Sequence, residues 1–232
     1  MSRRDNEPPP SFASPPCFMH ELDPAYMGLA ESADPQQRAD VMRWRKAERQ
    51  RLIEARLASP SETRQRDSGR IAERLLNEID KVCGRIVSVY WPFRGEPDLR
   101  ALMEEIVAQG GRCTLPVVIE RGQPLIFRRW APGDKLERGV WNIPVPARGE
   151  EVVPDIVVAP VVGFDPACYR LGYGGGFYDR TLAALPAKPR VFGVGYVQAA
   201  IPTIYPQPHD IPMEMVVTED GVVRPEHRPG AR

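Results

Sequence analysis

Apolar segments alternate with helical segments along most of this 232-residue chain, and this alternation limits its possible folds more than any other feature. The predicted strands are residues 85–93, 112–119, 124–130, 155–164, 190–196 and 213–219. Several of them, such as DIVVAPVVGF at 155–164, are apolar at consecutive positions, as is typical of strands covered by helices on both faces. The pattern predicts a three-layer α/β/α fold with a mostly parallel sheet.

The helical segments include a long basic stretch before the first strand. Residues 34–77 predict a helical hairpin, interrupted by SPSETR, where Ser59 or Ser61 would cap the second helix. Two further helices are predicted at 98–109 and at about 176–185. Residues 36–75 contain 11 Lys or Arg against 6 Asp or Glu, and a solvated helix face is the expected explanation for most of these basic residues.

Composition narrows the classes of protein that remain. The formal net charge is zero, and the basic residues of the hairpin are spread around its helices rather than interleaved with aromatics, so no nucleic-acid partner is predicted. The four cysteines lie far apart without a CxxC pair, which disfavours both a disulfide framework and a zinc site. No apolar run approaches the roughly 20 residues of a membrane span, and the N-terminus has no apolar signal region. We therefore expect a cytoplasmic protein with no membrane partner.

The stretch RLGYGGGFYDR, from Arg170 to Arg180, follows an apolar strand and precedes a helix. Glycines in this position allow successive N–H groups to point inward as an anion-binding nest, and the N-terminus of the following helix adds partial positive charge. Arg170 and Arg180 can add full charges, and Asp179 could bind magnesium beside phosphates. The alternative is a glycine-rich turn in which Asp179 caps the helix. The loop has neither the GK[ST] ending of a P-loop nor the GxGxxG fingerprint of a dinucleotide site.

A longer string around this loop, VVAPVVGFDPACYRLGYGGGFYDRTL at 157–182, closely resembles the signature of the 5-formyltetrahydrofolate cyclo-ligase family. Three other segments resemble family segments in the same order: VSVYWPFRGEPD at 87–98, GVWNIPVP at 139–146 and HDIPMEMVVTEDG at 209–221. The resemblance extends from about residue 41 to residue 223. It implies a Rossmann-like domain, similar to the NagB/RpiA/CoA-transferase-like folds.

The resemblance also implies an activity, an ATP-dependent ligase reaction that requires magnesium. In this reaction 5-formyltetrahydrofolate and ATP give 5,10-methenyltetrahydrofolate, ADP and phosphate. The partners would be folate and ATP, in a monomer or a homodimer. A diverged relative that binds folate or a nucleotide without catalysis is the alternative.

Family roles carry over to named positions of this chain. No residue is assigned as a general acid, general base or nucleophile. The residues implied to bind ATP are Arg45, Arg49, Arg170, Leu171, Gly172, Tyr173, Gly174, Gly175, Gly176, Phe177 and Tyr178. The residues implied to border the folate are Trp91, Glu96, Trp141, Tyr173, Gly174, Gly175, Gly176 and Phe177. Asp179 and Asp210 are implied to bind magnesium.

Several of these positions have a second interpretation. Glu96 would bind the pterin ring, or serve only as a turn carboxylate in RGEPD. Asp210 would belong to the metal site, or to a turn before Pro212. Trp91 would contact the pterin, or pack in the core at a strand end. Arg45 stands where the family usually has Lys, four residues before Arg49 and therefore on the same helix face.

The ends of the chain lie outside the resemblance. Residues 1–35 are predicted to form a proline-rich, partly disordered extension, residues 36–223 the α/β domain, and residues 224–232 a disordered tail. Within the extension, CFMHELDPAYMG (Cys17–Gly28) carries apolar residues and is predicted to lie against the domain as a strap.

Overall fold

The computed structural model describes residues 35–225. The predicted strap at Cys17–Gly28 lies outside the described residues, and so do almost all of the predicted extension and most of the predicted tail. The boundaries of these segments stay predictions.

The basic stretch forms the predicted helical hairpin. The helices of the described chain are α1 (Pro35–Ala58), α2 (Ser61–Ile79), α3 (Arg100–Ala108) and α4 (Phe177–Ala184), with short 3-10 helices at Val140–Asn142 and Val197–Ala199. The capping prediction is wrong, because Pro60 precedes α2 and no side chain caps its first turn. Ser61 is itself the first helical residue, and the carbonyl of Pro60 accepts the first helical hydrogen bond, from Arg64 N at 3.0 Å.

Eleven strands form one large sheet and two short ribbons. In chain order they are β1 (Ile86–Ser88), β2 (Arg112–Val117), β3 (Ile126–Trp130), β4 (Leu136–Arg138), β5 (Pro144–Pro146), β6 (Ile156–Pro160), β7 (Gly163–Phe164), β8 (Arg170–Leu171), β9 (Arg190–Val194), β10 (Met215–Val217) and β11 (Val222–Val223). The large sheet has the order β11-β10-β9-β6-β1-β2-β3. Its four inner pairings are parallel and only the two outer ones, β2–β3 and β10–β11, are antiparallel, which confirms a mostly parallel sheet.

The two ribbons were not predicted. β4 pairs with β5 and β7 with β8, both antiparallel. The predicted strand at 155–164 is split between β6 and β7, because Gly163 and Phe164 leave the large sheet and pair with β8. β8 begins the glycine-rich motif, so the ribbon turns this motif back across the edge of the large sheet.

Helices cover both faces of the large sheet, which confirms the three layers. Along β6, Ile156 and Val158 pack in one core cluster while Val157 and Ala159 pack in another. The first cluster includes side chains of α2 and α3, such as Ile71 and Met103, and the second includes Leu182 of α4. Alternate residues therefore enter opposite cores, as a sheet buried on both faces requires.

Helix α1 buries an unusual stripe. Its buried residues are Arg45, Arg49, Leu52 and Arg56, at spacings of four, three and four, which places them on one helix face. Leu52 packs in a third cluster beside the loops that follow the strands, and a Cβ at Gly163 would lie 2.7 Å from Leu52 Cδ1. A solvated face was expected for most of the basic residues of the hairpin, yet this stripe is mainly arginine.

We predict that Leu52→Ala lowers the free energy of unfolding by about 2–5 kcal/mol, because it removes the apolar contact of the buried face of α1. Urea unfolding followed by circular dichroism measures the change. Leu57→Ala is the matched control on the same helix: Leu57 is 50% exposed, and its loss should cost less than about 1 kcal/mol. Equal losses for the two variants would contradict this role of Leu52.

Candidate ligand-binding cleft at the carboxyl edge of the sheet

One large cleft opens beyond the carboxyl ends of the parallel strands. It encloses about 1570 Å³ of empty space, part of it open to solvent. Every residue that the family resemblance assigned to ATP, folate or magnesium lines this cleft. The structure therefore brings residues from α1, the β1–α3 loop, the β5 region, the glycine loop and the β9–β10 loop to one place.

The glycine loop joins β8 to α4 in a conformation that depends on its glycines. Gly174 and Gly176 have φ values of 107° and 62°, in the region that other residues rarely adopt. A Cβ at Gly175 would lie 2.7 Å from Cε2 of Phe177. The loop thus delivers the backbone to the N-terminus of α4, where the partial positive charge of the helix attracts anions.

Arg170 and Asp179 form a buried ion pair at the two ends of this loop. Arg170 Nη2 lies 2.6 Å from Asp179 Oδ1, and the two side chains are 3% and 12% exposed. The same Oδ1 accepts a hydrogen bond from Ile211 N at 3.1 Å. Asp179 lies in the first turn of α4, but Gly176 occupies the cap position and no side chain caps the helix, so the capping interpretation of Asp179 is wrong.

Arg45 and Asp210 form a second buried pair across the cleft. Arg45 donates to both oxygens of Asp210, at 2.5 Å and 3.4 Å, and to the carbonyls of Ile204 and Tyr205, each at 2.9 Å. Asp210 Oδ2 also accepts from Gln207 N at 2.6 Å. These contacts tie the loop between β9 and β10 to the stripe of α1.

Arg49, one turn further along α1, contacts the glycine loop. Its Nε donates to Gly172 O at 2.7 Å. Arg49 is buried, and it lines the cleft beside Arg45. The i, i+4 pair predicted from the sequence therefore reaches two different loops.

Glu96 lies at the other end of the cleft in an almost completely buried position. Its Oε2 accepts from Phe93 N at 2.9 Å, and its Oε1 accepts from the hydroxyl of Tyr173 at 2.9 Å. Burial raises the pKa of Glu96 to about 7, although the charge of Arg56 and these two hydrogen bonds oppose the increase. Tyr173 belongs to the glycine loop, so the carboxylate and the loop are directly linked.

Arg56 is a residue that the sequence reasoning missed. Its Nη2 donates to the hydroxyl of Tyr173 at 2.7 Å, and only 5% of its surface is exposed. The signal that could have identified it is its position on the stripe, seven residues after Arg49 and four after Leu52.

Aromatic side chains form the walls between these polar groups. Trp91 packs against Trp130 with ring centroids 6.5 Å apart, so it contacts the core and also lines the cleft. Trp141 packs edge-on against Phe177 at 5.7 Å, and its φ of 55° turns the chain between β4 and β5 toward the loop. The remaining predicted loop residues also pack inward. Leu171 is in the cluster of Leu52, and the ring of Tyr178 lies 5.5 Å from the guanidinium of Arg170.

Two carboxylates are candidates for a metal, and the structure distinguishes them. Among residues 35–225 no group of three or more His, Cys, Asp or Glu side chains is assembled. A magnesium ion bound with phosphates needs only one or two carboxylates. Within residues 35–225, the ion pair with Arg170 and the hydrogen bond from Ile211 N both fall on Asp179 Oδ1, so Oδ2 is the oxygen that could bind a cation. Asp210 accepts hydrogen bonds on both oxygens, and a direct metal contact there would displace Arg45.

Comparison with known proteins gives a consistent family. Residues 41–219 match the sequence model of the 5-formyltetrahydrofolate cyclo-ligase family. The chain is 31% identical over 179 residues to the 5-formyltetrahydrofolate cyclo-ligase of Escherichia coli K12, covering 74% of this chain and 98% of the relative. It is 33% identical over 146 residues to the enzyme of the same name from Mycolicibacterium smegmatis, covering 60% of this chain and 75% of the relative.

Solved structures show the same fold. The NMR structure of Aquifex aeolicus 5,10-methenyltetrahydrofolate synthetase matches with a TM-score of 0.69 and 28% identity, covering 81% of this chain and 96% of that one. A 5,10-methenyltetrahydrofolate synthetase from Mycoplasma pneumoniae matches with a TM-score of 0.63 at 21% identity, covering 75% of this chain and 98% of that one, a likeness of fold alone.

We predict that Asp210→Ala lowers the free energy of unfolding by about 3–5 kcal/mol, because it leaves the guanidinium of Arg45 buried without its carboxylate. Urea unfolding near neutral pH measures the loss. The control is Glu214→Ala, which breaks the Arg190–Glu214 pair, whose side chains are 44% and 39% exposed. It should cost about 1 kcal/mol or less. Similar losses for the two variants would show that the Arg45–Asp210 pair holds no loop in place.

Proposed function

The chain belongs to the 5-formyltetrahydrofolate cyclo-ligase family, and from this premise we propose that the cleft is the site where 5-formyltetrahydrofolate and ATP react. The formyl oxygen attacks the γ-phosphorus and ADP leaves. The N10 nitrogen then attacks the activated formyl carbon, phosphate departs, and the ring of 5,10-methenyltetrahydrofolate closes. The protein must align the two substrates and neutralise the phosphates, and both tasks suit a pre-formed cleft.

One observation carries this proposal: the hydrogen bond of 2.9 Å between the Tyr173 hydroxyl and Glu96 Oε1. It joins the glycine loop, a feature suited to phosphates, to a buried carboxylate suited to the paired N–H groups of a pterin. Both substrates can therefore lie in one cleft, with the formyl group of one directed toward the γ-phosphate of the other.

The phosphate end would use the glycine loop, the N-terminus of α4 and the arginines. Arg49 and Arg170 flank the loop from opposite sides, one on α1 and the other on β8. A guanidinium suits bidentate contacts with phosphate oxygens. Arg45 has its Nε and Nη2 engaged by carbonyls and by Asp210, so we infer that it contributes mainly by holding the β9–β10 loop.

The folate end would use Glu96 and the aromatic walls. As a carboxylate, Glu96 has further lone pairs on both oxygens and can accept two N–H groups of the pterin. Trp91, Phe93 and Trp141 also line the cleft, and we propose that they contact the flat ring. An ionised Glu96 is the better acceptor, so its protonation state would govern binding.

A magnesium ion would sit beside the phosphates, with Asp179 as the protein ligand that fits. When bound with ATP, the ion would neutralise charge on the phosphate oxygens. Asp210 lies behind this position: the neighbouring Ile211 N donates to Asp179, while Asp210 itself holds Arg45.

No helix within residues 35–225 combines the length and the apolar character needed to cross a bilayer. A cytoplasmic location, the absence of nucleic-acid and membrane partners, and a monomeric or homodimeric state stay predictions.

We predict that the purified protein forms 5,10-methenyltetrahydrofolate only when 5-formyltetrahydrofolate and ATP are both present, measured by the near-ultraviolet absorbance of the product. Glu96→Gln should lower kcat/KM by about 10- to 100-fold, because it replaces charged hydrogen bonds to the pterin with neutral ones. Glu104→Gln, at an exposed position of α3, is the control and should leave kcat/KM unchanged. Stabilisation by both ligands without turnover would instead support a non-catalytic binding protein.

We predict that kcat/KM rises with pH through about pH 7, the pKa of Glu96 in the folded protein. Below this pH Glu96 is protonated and loses acceptor capacity, and above it the carboxylate is present. The pH profile of kcat/KM measures this limb, which should be absent from Glu96→Gln. A limb that persists in Glu96→Gln would assign it to another group.

We predict that Asp179→Asn raises the magnesium concentration needed for half-maximal rate at saturating ATP by at least about tenfold. Loss of the carboxylate weakens the cation site, while phosphate contacts from the loop remain. Asp220→Asn, at an exposed position after β10, is the control. An unchanged magnesium requirement in Asp179→Asn would remove Asp179 from the metal site.

A further inference from the structure

Arg56 is buried at the end of α1 without lining the cleft. Its guanidinium donates to the Tyr173 hydroxyl at 2.7 Å and to Val161 O at 3.4 Å, and it lies 5.9 Å from the centre of the Tyr173 ring. Its Nε is buried with no hydrogen-bond partner in the described structure. Desolvating a guanidinium in this way is costly unless a nearby negative charge compensates.

The compensating charge is Glu96, reached through Tyr173. The Tyr173 hydroxyl accepts from Arg56 and donates to Glu96 Oε1, so a continuous hydrogen-bonded chain joins the guanidinium to the carboxylate. Each link is shorter than 3.0 Å. Since the hydroxyl has one hydrogen, its donation to Glu96 is fixed by the presence of a donor, Arg56, on its other side.

Among residues 35–225, the groups that shift the pKa of Glu96 include one cation, Arg56. Arg56 approaches from α1 and Tyr173 from the glycine loop. The backbone N–H of Phe93 contributes from the loop after β1. The phenols of Tyr90 and Tyr178 also face Glu96, and its negative charge contributes to their raised pKa values. The positive charge of Arg56 favours the carboxylate form of Glu96 and so opposes the effect of burial.

We propose that Arg56 is a positioning residue that keeps Glu96 in the carboxylate form and orients it, through Tyr173, toward the ring N–H groups of the substrate. The expected effect of Arg56 on activity rests on the proposed function, because it requires that Glu96 binds the pterin. The arrangement of the three side chains stands independently of it. Arg56 touches neither the substrate pocket nor the reacting atoms.

The test compares Arg56→Met with Arg56→Lys. Without the cation, the limb of kcat/KM near pH 7 should move to higher pH by about one unit, the usual effect of a nearby opposite charge. The loss of activity near neutral pH should therefore shrink as the pH is raised, and KM for the folate should change more than kcat. Arg56→Lys keeps the charge and should leave the limb close to its wild-type position.

Arg51→Met is the matched control, because Arg51 lies on the same helix with its side chain 59% exposed. It should change neither the activity nor the pH profile. A loss of activity in Arg56→Met that is the same at every pH would indicate only a structural role and would overturn the proposal.

A second measurement does not depend on turnover. Carboxyl carbon-13 NMR of glutamate-labelled protein, with the Glu96 signal assigned by its absence from Glu96→Gln, gives the midpoint of the Glu96 titration directly. We expect a higher midpoint in Arg56→Met, and a smaller rise in Tyr173→Phe, which removes the donor to Oε1. If Arg56→Met does not fold, Tyr173→Phe and Arg56→Lys decide the outcome.

The activity assay and the NMR titration distinguish a failure of the role of Arg56 from a failure of the proposed function. An unchanged Glu96 midpoint in folded Arg56→Met overturns the role of Arg56, whatever the activity. A wild-type protein without turnover overturns the proposed function, while the NMR titration still tests the link between Arg56 and Glu96.

Discussion

The arrangement of the cleft depends on the buried arginine stripe of α1. Burying a guanidinium is unfavourable unless its donors find acceptors, so α1 can pack only where acceptors are supplied. Here they come from the carbonyls of Ile204, Tyr205 and Gly172, and from Asp210 and the Tyr173 hydroxyl. Two of the loops that build the cleft, the glycine loop and the β9–β10 loop, offer these acceptors. The helix and the site are therefore defined by the same set of contacts.

Carboxylates balance the charges of two of the arginines that line the cleft. Arg45 is paired with Asp210, and Arg170 with Asp179. A cluster of unpaired arginines in a partly buried cleft would repel one another strongly, because the surroundings screen charge poorly. Pairing Arg45 and Arg170 with carboxylates keeps these two cations in place at lower cost. In the proposed reaction, ATP with its magnesium ion would exchange partners with these pairs, since it brings both negative and positive charge.

The overall architecture could be predicted from the sequence because its strands and helices produce patterns that extend over many residues. Strands such as β6 and β9 are apolar at consecutive positions, and the helical hairpin has a clear interruption at Pro60. The two ribbons escaped prediction because β7 and β8 are two residues each, with little room for periodicity, and because β8 lies inside a motif that resembles a loop. Pro60, rather than Ser59 or Ser61, occupies the cap position of α2. A shift of the helix start by one residue decides between them, and the sequence does not resolve such a shift.

Part of the candidate site could also be predicted from the sequence, and part could not. The candidate residues were found through motifs, and all of them line one cleft. Arg56 was not found because an arginine in a basic helix is usually solvated, and the sequence does not show which face is covered. Its partners, Tyr173 and Glu96, are 117 and 40 residues away in the chain, so only tertiary packing reveals the link. The spacing of Arg45, Arg49, Leu52 and Arg56 along α1 places Arg56 on the buried face. Using this spacing as a prediction would have required the assumption that arginines are buried.

Arg45 shows why the identity of the basic residue matters at such a position. Lysine has three donors on one nitrogen, whereas the guanidinium of Arg45 spreads its donors over three nitrogens and reaches Ile204 O, Tyr205 O and Asp210 at once. A lysine could neutralise Asp210, but it could not span these acceptors with the same geometry. The arginine is therefore suited to fixing the β9–β10 loop. With Arg45 committed to that loop, the contacts to phosphate in the proposed reaction would fall mainly to the glycine loop, Arg49 and Arg170. Under the proposed function, an Arg in place of the Lys that the resemblance implies would leave phosphate binding to other groups of the cleft.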